Sequence, residues 1–141
     1  MKIIEEIKKG VYAHYQTLTL WTVDAVTFYM DHVPNAVEYP FIVFYHLASN
    51  NSYSMVDGTH PKGYDYVDSI FQFSLFGNDR QHSELENYAD QIEDGFHKVH
   101  LILGGNVTHI ATLTTDSRTS FYDQGLKVWQ INQKYRIMAG K

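Results

Sequence analysis

Between Lys2 and about Thr19, apolar residues Ile4, Ile7, Val11, Tyr15 and Leu18 recur at helical spacing, while Glu5, Glu6, Lys8 and Lys9 occupy the other side. This pattern predicts an amphipathic first helix. Leu20 to Pro40 mixes Trp21, Val26, Phe28 and Tyr29 with Thr and Asp, follows neither period, and reads mostly as loop. Pro40 opens the run Phe41-Ile42-Val43-Phe44-Tyr45, which is rich in β-branched and aromatic side chains. Proline is tolerated at a strand's first position, so this run is read as a strand, central in its sheet.

Ser49 to Gly63 is polar and holds the turn formers Asp57-Gly58 and Pro61-Lys62-Gly63, which predicts a long loop reaching about Asp65. From Tyr66 to Phe76 the chain alternates: Val67, Ser69, Phe71, Phe73 and Leu75 share one face, and Asp68, Ile70, Gln72 and Ser74 the other. This is the second strand. After Gly77-Asn78-Asp79, the spacing of Ser83 and Glu86 fits a capping box that starts a second helix. Leu85, Tyr88, Ala89, Ile92, Phe96 and Val99 carry its apolar face towards Gly104-Gly105, where glycine is suited to ending a helix. Asn106 to Thr115 and Gly125 to Met138 read as a hairpin of two strands flanking a polar loop, Asp116 to Gln124.

The resulting order is helix, strand, strand, helix, strand, strand. It predicts an α+β fold with a mainly antiparallel sheet and helices packed on one face. The 141 residues suit one domain spanning 1–141, and no repeat or linker-like shift divides them. With 44% hydrophobic and 19% charged residues, the chain lies within the range that folds. The net charge of -5 and the scattered basic residues disfavour tight nucleic-acid binding. Without cysteine there is no disulfide, thiolate metal site or Cys nucleophile. Glu5 and Glu6 interrupt what would be a signal peptide's apolar region, and no stretch approaches a membrane span. A cytoplasmic site of synthesis, without membrane association, is therefore expected.

The chemistry-bearing residues form no recognised catalytic pattern. His97 and His100 are spaced to share a helix face, yet no HExxH accompanies them and no third ligand is placed, although Glu93 and Asp94 lie nearby. No serine stands in a GxSxG elbow and no lysine in SxxK. Gly104-Gly105-Asn106 follows a helix, whereas a phosphate cradle precedes one. The expectation is no catalytic site, no metal and no cofactor. The two long loops remain: the first holds Tyr53, Met55, Val56, Tyr64 and Tyr66, and the second Arg118, Phe121 and Tyr122. Aromatic residues on polar loops fit burial against a partner subunit, and they fit equally well packing onto the chain's own core.

Three stretches, in their order and spacing, resemble the tail terminator, or tail completion, family of long-tailed bacteriophages. They are Val33-Pro34 through Glu38-Tyr39-Pro40 into Phe41-Ile42-Val43-Phe44; Phe71-Gln72-Phe73-Ser74-Leu75-Phe76 with Gly77-Asn78-Asp79; and the helix from Ser83 to Val99. The resemblance covers most of the chain. It implies a non-enzymatic structural protein that forms a homo-hexameric ring on the tail tube protein, stops tube growth, and offers a surface to head-tail connector proteins. It also implies assembly in the host cytoplasm, a place in the tail-neck region of the virion, and a lumen through which DNA passes without sequence-specific binding. A ring needs a head-to-tail contact whose rotation closes. Tyr53, Met55, Tyr64, Tyr66, Arg118, Phe121 and Tyr122 are the residues expected, on composition, to make the subunit or tube contact. Two other readings compete: another small phage connector or head completion protein, and a small enzyme or ligand-binding protein with a His/Tyr pocket.

Overall fold

The computed structural model describes residues 2–52 and 66–140. Their elements are α1 (Lys2–Tyr15), α2 (Thr19–Thr22), β1 (Thr27–Met30), β2 (Phe41–Ser52), β3 (Tyr66–Asn78), α3 (His82–Phe96), β4 (Thr108–Asp123) and β5 (Val128–Gly140). One five-stranded sheet runs in the order β1-β2-β3-β5-β4. Only the β1·β2 pair is parallel; β2·β3, β3·β5 and β4·β5 are antiparallel. The α+β class and the mainly antiparallel sheet agree with the sequence pattern.

The alternation along β3 decides which face is covered. Phe71, Phe73 and Leu75 meet Phe44, Ile42, Tyr135 and Ile131 of the neighbouring strands on one side. Onto this side pack Ile4, Ile7, Val11 and Tyr15 of α1 and Leu85, Ala89, Ile92 and Phe96 of α3, all buried. Aromatic rings dominate the layer. Phe28 stacks on Tyr15 with centroids 4.3 Å apart, Phe44 stacks on Phe71 at 4.9 Å, and Phe73 lies 5.1 Å from Phe96. The buried Tyr15 hydroxyl donates to the Val26 carbonyl at 2.9 Å, which ties the end of α1 to the approach to β1.

Several expectations need correction. The first helix stops at Tyr15, and the segment read as loop contains α2 and β1. β1 is only four residues long, too short for a period to show, and it forms because Phe28 reaches the aromatic core while its backbone pairs with β2. The strand expected at the centre, β2, is interior but lies beside the edge strand β1; β3 is the middle strand.

α3 begins at His82, one residue before the expected cap, and no side chain caps it. Gln81 instead turns back, its Oε1 accepting the Asn78 amide at 2.8 Å. The helix ends at Phe96, well before the glycine pair. His97 turns extended and Lys98 takes φ 59°, so that the Lys98 amide donates to the Thr112 carbonyl on β4 at 2.7 Å. Gly105, at φ 62°, and Asn106, at φ 60°, instead turn the chain into β4.

The polar segments are also shorter as loops than expected. Ser49 to Ser52 continue β2. Asp116 to Asp123 continue β4, which shifts register between Thr114 and Arg118 and then pairs with β5 up to Asp123 and Val128. An edge strand can be polar because its outer side faces water, and composition alone misread it as loop.

Candidate interaction surface

No helix among the described residues packs on the second face of the sheet. Phe41, Val43 and Tyr45 of β2 stand there opposite Phe76, Ser74 and Gln72 of β3, which in turn stand opposite Gln130, Asn132 and Lys134 of β5. At one end the face is aromatic. Phe41 stacks on Phe76 with centroids 5.0 Å apart, Tyr39 covers Phe41 at 5.4 Å, and His32 and Val33 complete the wall of a groove of about 330 Å³. The centre of the face is a polar network. Gln72 Nε2 donates to the Tyr45 hydroxyl and, at 2.8 Å, to Ser74 Oγ. Ser74 Oγ donates to Asn132 Oδ1 at 2.7 Å, and Gln130 Nε2 donates to the same oxygen at 2.8 Å. Ser74 and Gln72 are buried although no helix covers them, because neighbouring side chains close over them. At the far end Arg136 pairs with Asp68.

The β4–β5 hairpin is a second exposed region. Phe121 is 48% exposed and Leu126, in the turn, 74%. Other large apolar side chains open to solvent include Ile102 and Ile110, on either side of the approach to β4.

The residues expected to make contacts fall into three groups. Tyr53, Met55 and Tyr64 lie outside the described residues. Tyr66 opens β3, its backbone between Ser52 and Gly140. Arg118, Phe121 and Tyr122 all lie in β4, where alternation puts Phe121 on one face and Arg118 and Tyr122 on the other. Arg118 turns towards α3, where Nη1 donates to Asp90 Oδ1 at 2.7 Å and Nη2 to Glu93 Oε2 at 3.3 Å, while Nε reaches Gln133 Oε1 at 3.2 Å. It joins the helix to the sheet. Tyr122 packs on Trp129 with centroids 5.0 Å apart. Phe121, opposite Gln130, is on the uncovered face and is the most exposed of the three.

The groove at Phe41 and the Gln72, Ser74 and Asn132 network were missed. Their signal was present in β3, where Gln72 and Ser74 stand among large apolar residues and polar side chains on a strand's second face demand partners.

His97 and His100 gather no third ligand among the described residues. His97 Nδ1 accepts the Thr114 amide at 3.0 Å, and among the described residues no three His, Asp or Glu side chains gather where they could hold an ion. His14 binds the Gly95 carbonyl, His82 lies on Trp129, and His46 lies on Phe71. His100 and His109 line a cavity of about 220 Å³ with Lys98 and Thr112. Burial, reinforced by Glu93, pushes the Tyr135 phenol above its ordinary range, so this hydroxyl remains neutral inside the core. Among the described residues no helix is long and apolar enough to cross a membrane.

An α+β sheet with one helical layer and a second face on which, among the described residues, no helix packs is thus the class of structure defined. No protein-family model matches the chain, and no curated protein matches it in sequence. Its fold is shared with a solved chain described as "Virion of native gene transfer agent (GTA) particle", with a TM-score of 0.73 and 10% identity over 99% of this chain and 98% of that one. A second solved chain, whose description states no function, is similar with a TM-score of 0.54 and 11% identity over 92% of this chain and 94% of that one.

Proposed function

We propose that the chain is a structural component of a phage-type virion and acts as a tail terminator: a ring of identical subunits that seats on the end of the tail tube, stops its growth and presents a joining surface to the head. The likeness in fold to a virion chain, extending over almost the whole of both chains, carries this reading. The bare sheet face and the exposed hairpin support it, because a protein that works by contact must keep surfaces its own helices do not use. His100 and His109 share a cavity, but among the described residues no carboxylate lines it beside them, which counts against the enzyme or ligand-pocket reading. Six subunits, a tail-neck position and passage of DNA through the lumen complete the proposal. The acidic balance of -5 suits a lumen that repels phosphate.

The contact is proposed to include Phe121 and the segment holding Tyr53, Met55 and Tyr64, with Tyr66 and Tyr122 at its margins. Arg118 is committed to α3 and is assigned a supporting part. The test is to add purified protein to tail-tube protein that is polymerising and to measure tube length by electron microscopy. Short tubes with one capped end are expected. Tubes of unchanged length, with the protein found instead on portal rings, would transfer the chain to the head-tail connectors.

A further inference from the structure

The connection between α3 and β4 is fastened to the outer edge of β4 by hydrogen bonds that depend on the protonation of two histidines. The Thr114 amide of β4 donates to His97 Nδ1 at 3.0 Å, and the Leu101 amide donates to His109 Nδ1 at 3.3 Å. A backbone amide can only donate, so both Nδ1 atoms are acceptors and both rings carry their single proton on Nε2. His109 Nε2 then donates to Thr112 Oγ1 at 2.6 Å. Two fastenings have no ionisable partner: the Lys98 amide donates to the Thr112 carbonyl, and Leu101 is buried in the core. A second proton on either ring would place N–H against N–H. The ring and its bond therefore cannot both survive protonation.

We propose that residues 97–101 form a proton-sensitive strap over the outer edge of β4, closed while His109 is neutral and released when its Nδ1 takes up a proton, with His97 Nδ1 as the second acceptor that the closed form holds in place. Closed, the strap occupies the Thr112 carbonyl and the Thr114 amide, which would otherwise be free on a sheet edge. Open, it exposes them for strand pairing.

The surroundings favour the neutral state of His109. Burial holds its pKa below the ordinary imidazole value, and His100, with ring centroids 5.3 Å apart, lowers it further. The other charged groups around the strap are Lys98 within it, Glu93 and Asp94 in the last turn of α3, and Glu6 of α1, which lies against Gly104 and Gly105. On β5, His109 is opposite the uncharged Ala139. Because the closed form binds the proton less readily than the open form, closure is fully stable above the ordinary imidazole pKa of about 6.5 and weakens as pH falls below it.

Amide hydrogen exchange of the full chain, corrected for the intrinsic effect of pH, tests the strap. Because opening takes up one proton, at His109, it becomes about tenfold more frequent per pH unit below that value, so protection at Lys98, Leu101 and Thr114 is expected to be about tenfold lower at pH 5.5 than at pH 7.5. Protection at Leu75 and Ile131 should hold. Replacing both rings by a non-titrating acceptor, His97→Asn with His109→Asn, should flatten the dependence. Equal loss across β3 and β5, no loss at the strap, or a pH response retained by the double variant would each overturn the proposal. Imidazole nitrogen chemical shifts of the unaltered protein give a check independent of folding: a proton on Nδ1 of either ring at pH 7.5 would also overturn it.

Discussion

The two faces of the sheet are written on alternate residues of the same strands, yet they solve opposite problems. On the helical side, Phe44, Phe71, Phe73, Ile131 and Tyr135 meet α1 and α3 in a mainly apolar layer, with Gln133 and the Tyr135 hydroxyl among its buried polar groups. On the bare side the same strands carry Phe41, Tyr45, Gln72, Ser74 and Asn132, and their polar atoms are bonded to one another. The helical face derives its stability from removing carbon from water, which is strong and non-directional. The bare face gains this way at its aromatic end, where Phe41 and Val43 are buried, and less at its polar centre. Its network fixes side-chain positions instead, giving an ordered surface before any partner arrives.

The largest effect should follow from emptying the helical face. Phe73 contacts Phe28, Phe44, Phe96 and Tyr135, so Phe73→Ala removes a ring shared by α3 and three strands. A loss of about 3–5 kcal/mol is expected from the cavity and the lost transfer energy. Denaturant unfolding followed by Trp21 and Trp129 fluorescence measures it. A loss below about 1 kcal/mol would mean that the helical layer is not packed as described.

Ser74→Ala probes the bare face at the same depth but should cost less. Ser74 is buried, and its hydroxyl links Gln72 to Asn132. Gln72 keeps Tyr45 as a partner and Asn132 keeps Gln130, so no charged group is stranded and the change leaves one Gln72 N–H without its acceptor. A loss of about 1 kcal/mol is expected by the same unfolding measurement. A larger cost, comparable with that of Phe73→Ala, would show that this face also holds the fold together and would erase the distinction between the two.

This contrast also explains what was legible in the sequence. Strong periods showed themselves: the helical face of α1, the alternation of β3 and the apolar stripe from Leu85 to Phe96 all read correctly, because burial against a neighbour imposes spacing. Elements held by one contact did not. β1 depends on Phe28 reaching a core assembled from distant segments, and four residues cannot display a repeat. The outer half of β4 carries Asp116, Ser117, Arg118 and Ser120, a loop-like composition, because an edge strand beside water needs no apolar alternation. Helix termination at Phe96 was hidden because it arises from His97 and Lys98 bonding to Thr114 and Thr112 on a strand not yet formed. The contact residues drawn from loop aromatics suffered similarly: composition grouped Arg118, Phe121 and Tyr122, and strand alternation put Phe121 on the opposite face from the other two.

The smallest effect on stability, with the sharpest consequence for function, is expected at Phe121. Its ring is 48% exposed on the bare face and among the described residues no aromatic partner holds it, whereas its neighbour Tyr122 rests on Trp129. Phe121→Ser should therefore change unfolding free energy by no more than about 0.5 kcal/mol, in the range of surface substitutions away from packed features. If the bare face and the adjoining hairpin are contact surface, the same change removes an aromatic anchor from an interface, the kind of side chain on which binding energy concentrates. Sedimentation velocity over a concentration series, with and without tail-tube assemblies, should then show association shifted to higher protein concentration while the isolated subunit stays folded. A variant that associates at the unaltered concentration would remove Phe121 from the contact and move the search to the groove at Phe41 and Phe76, where the bare face is aromatic and the ring stack is already in place.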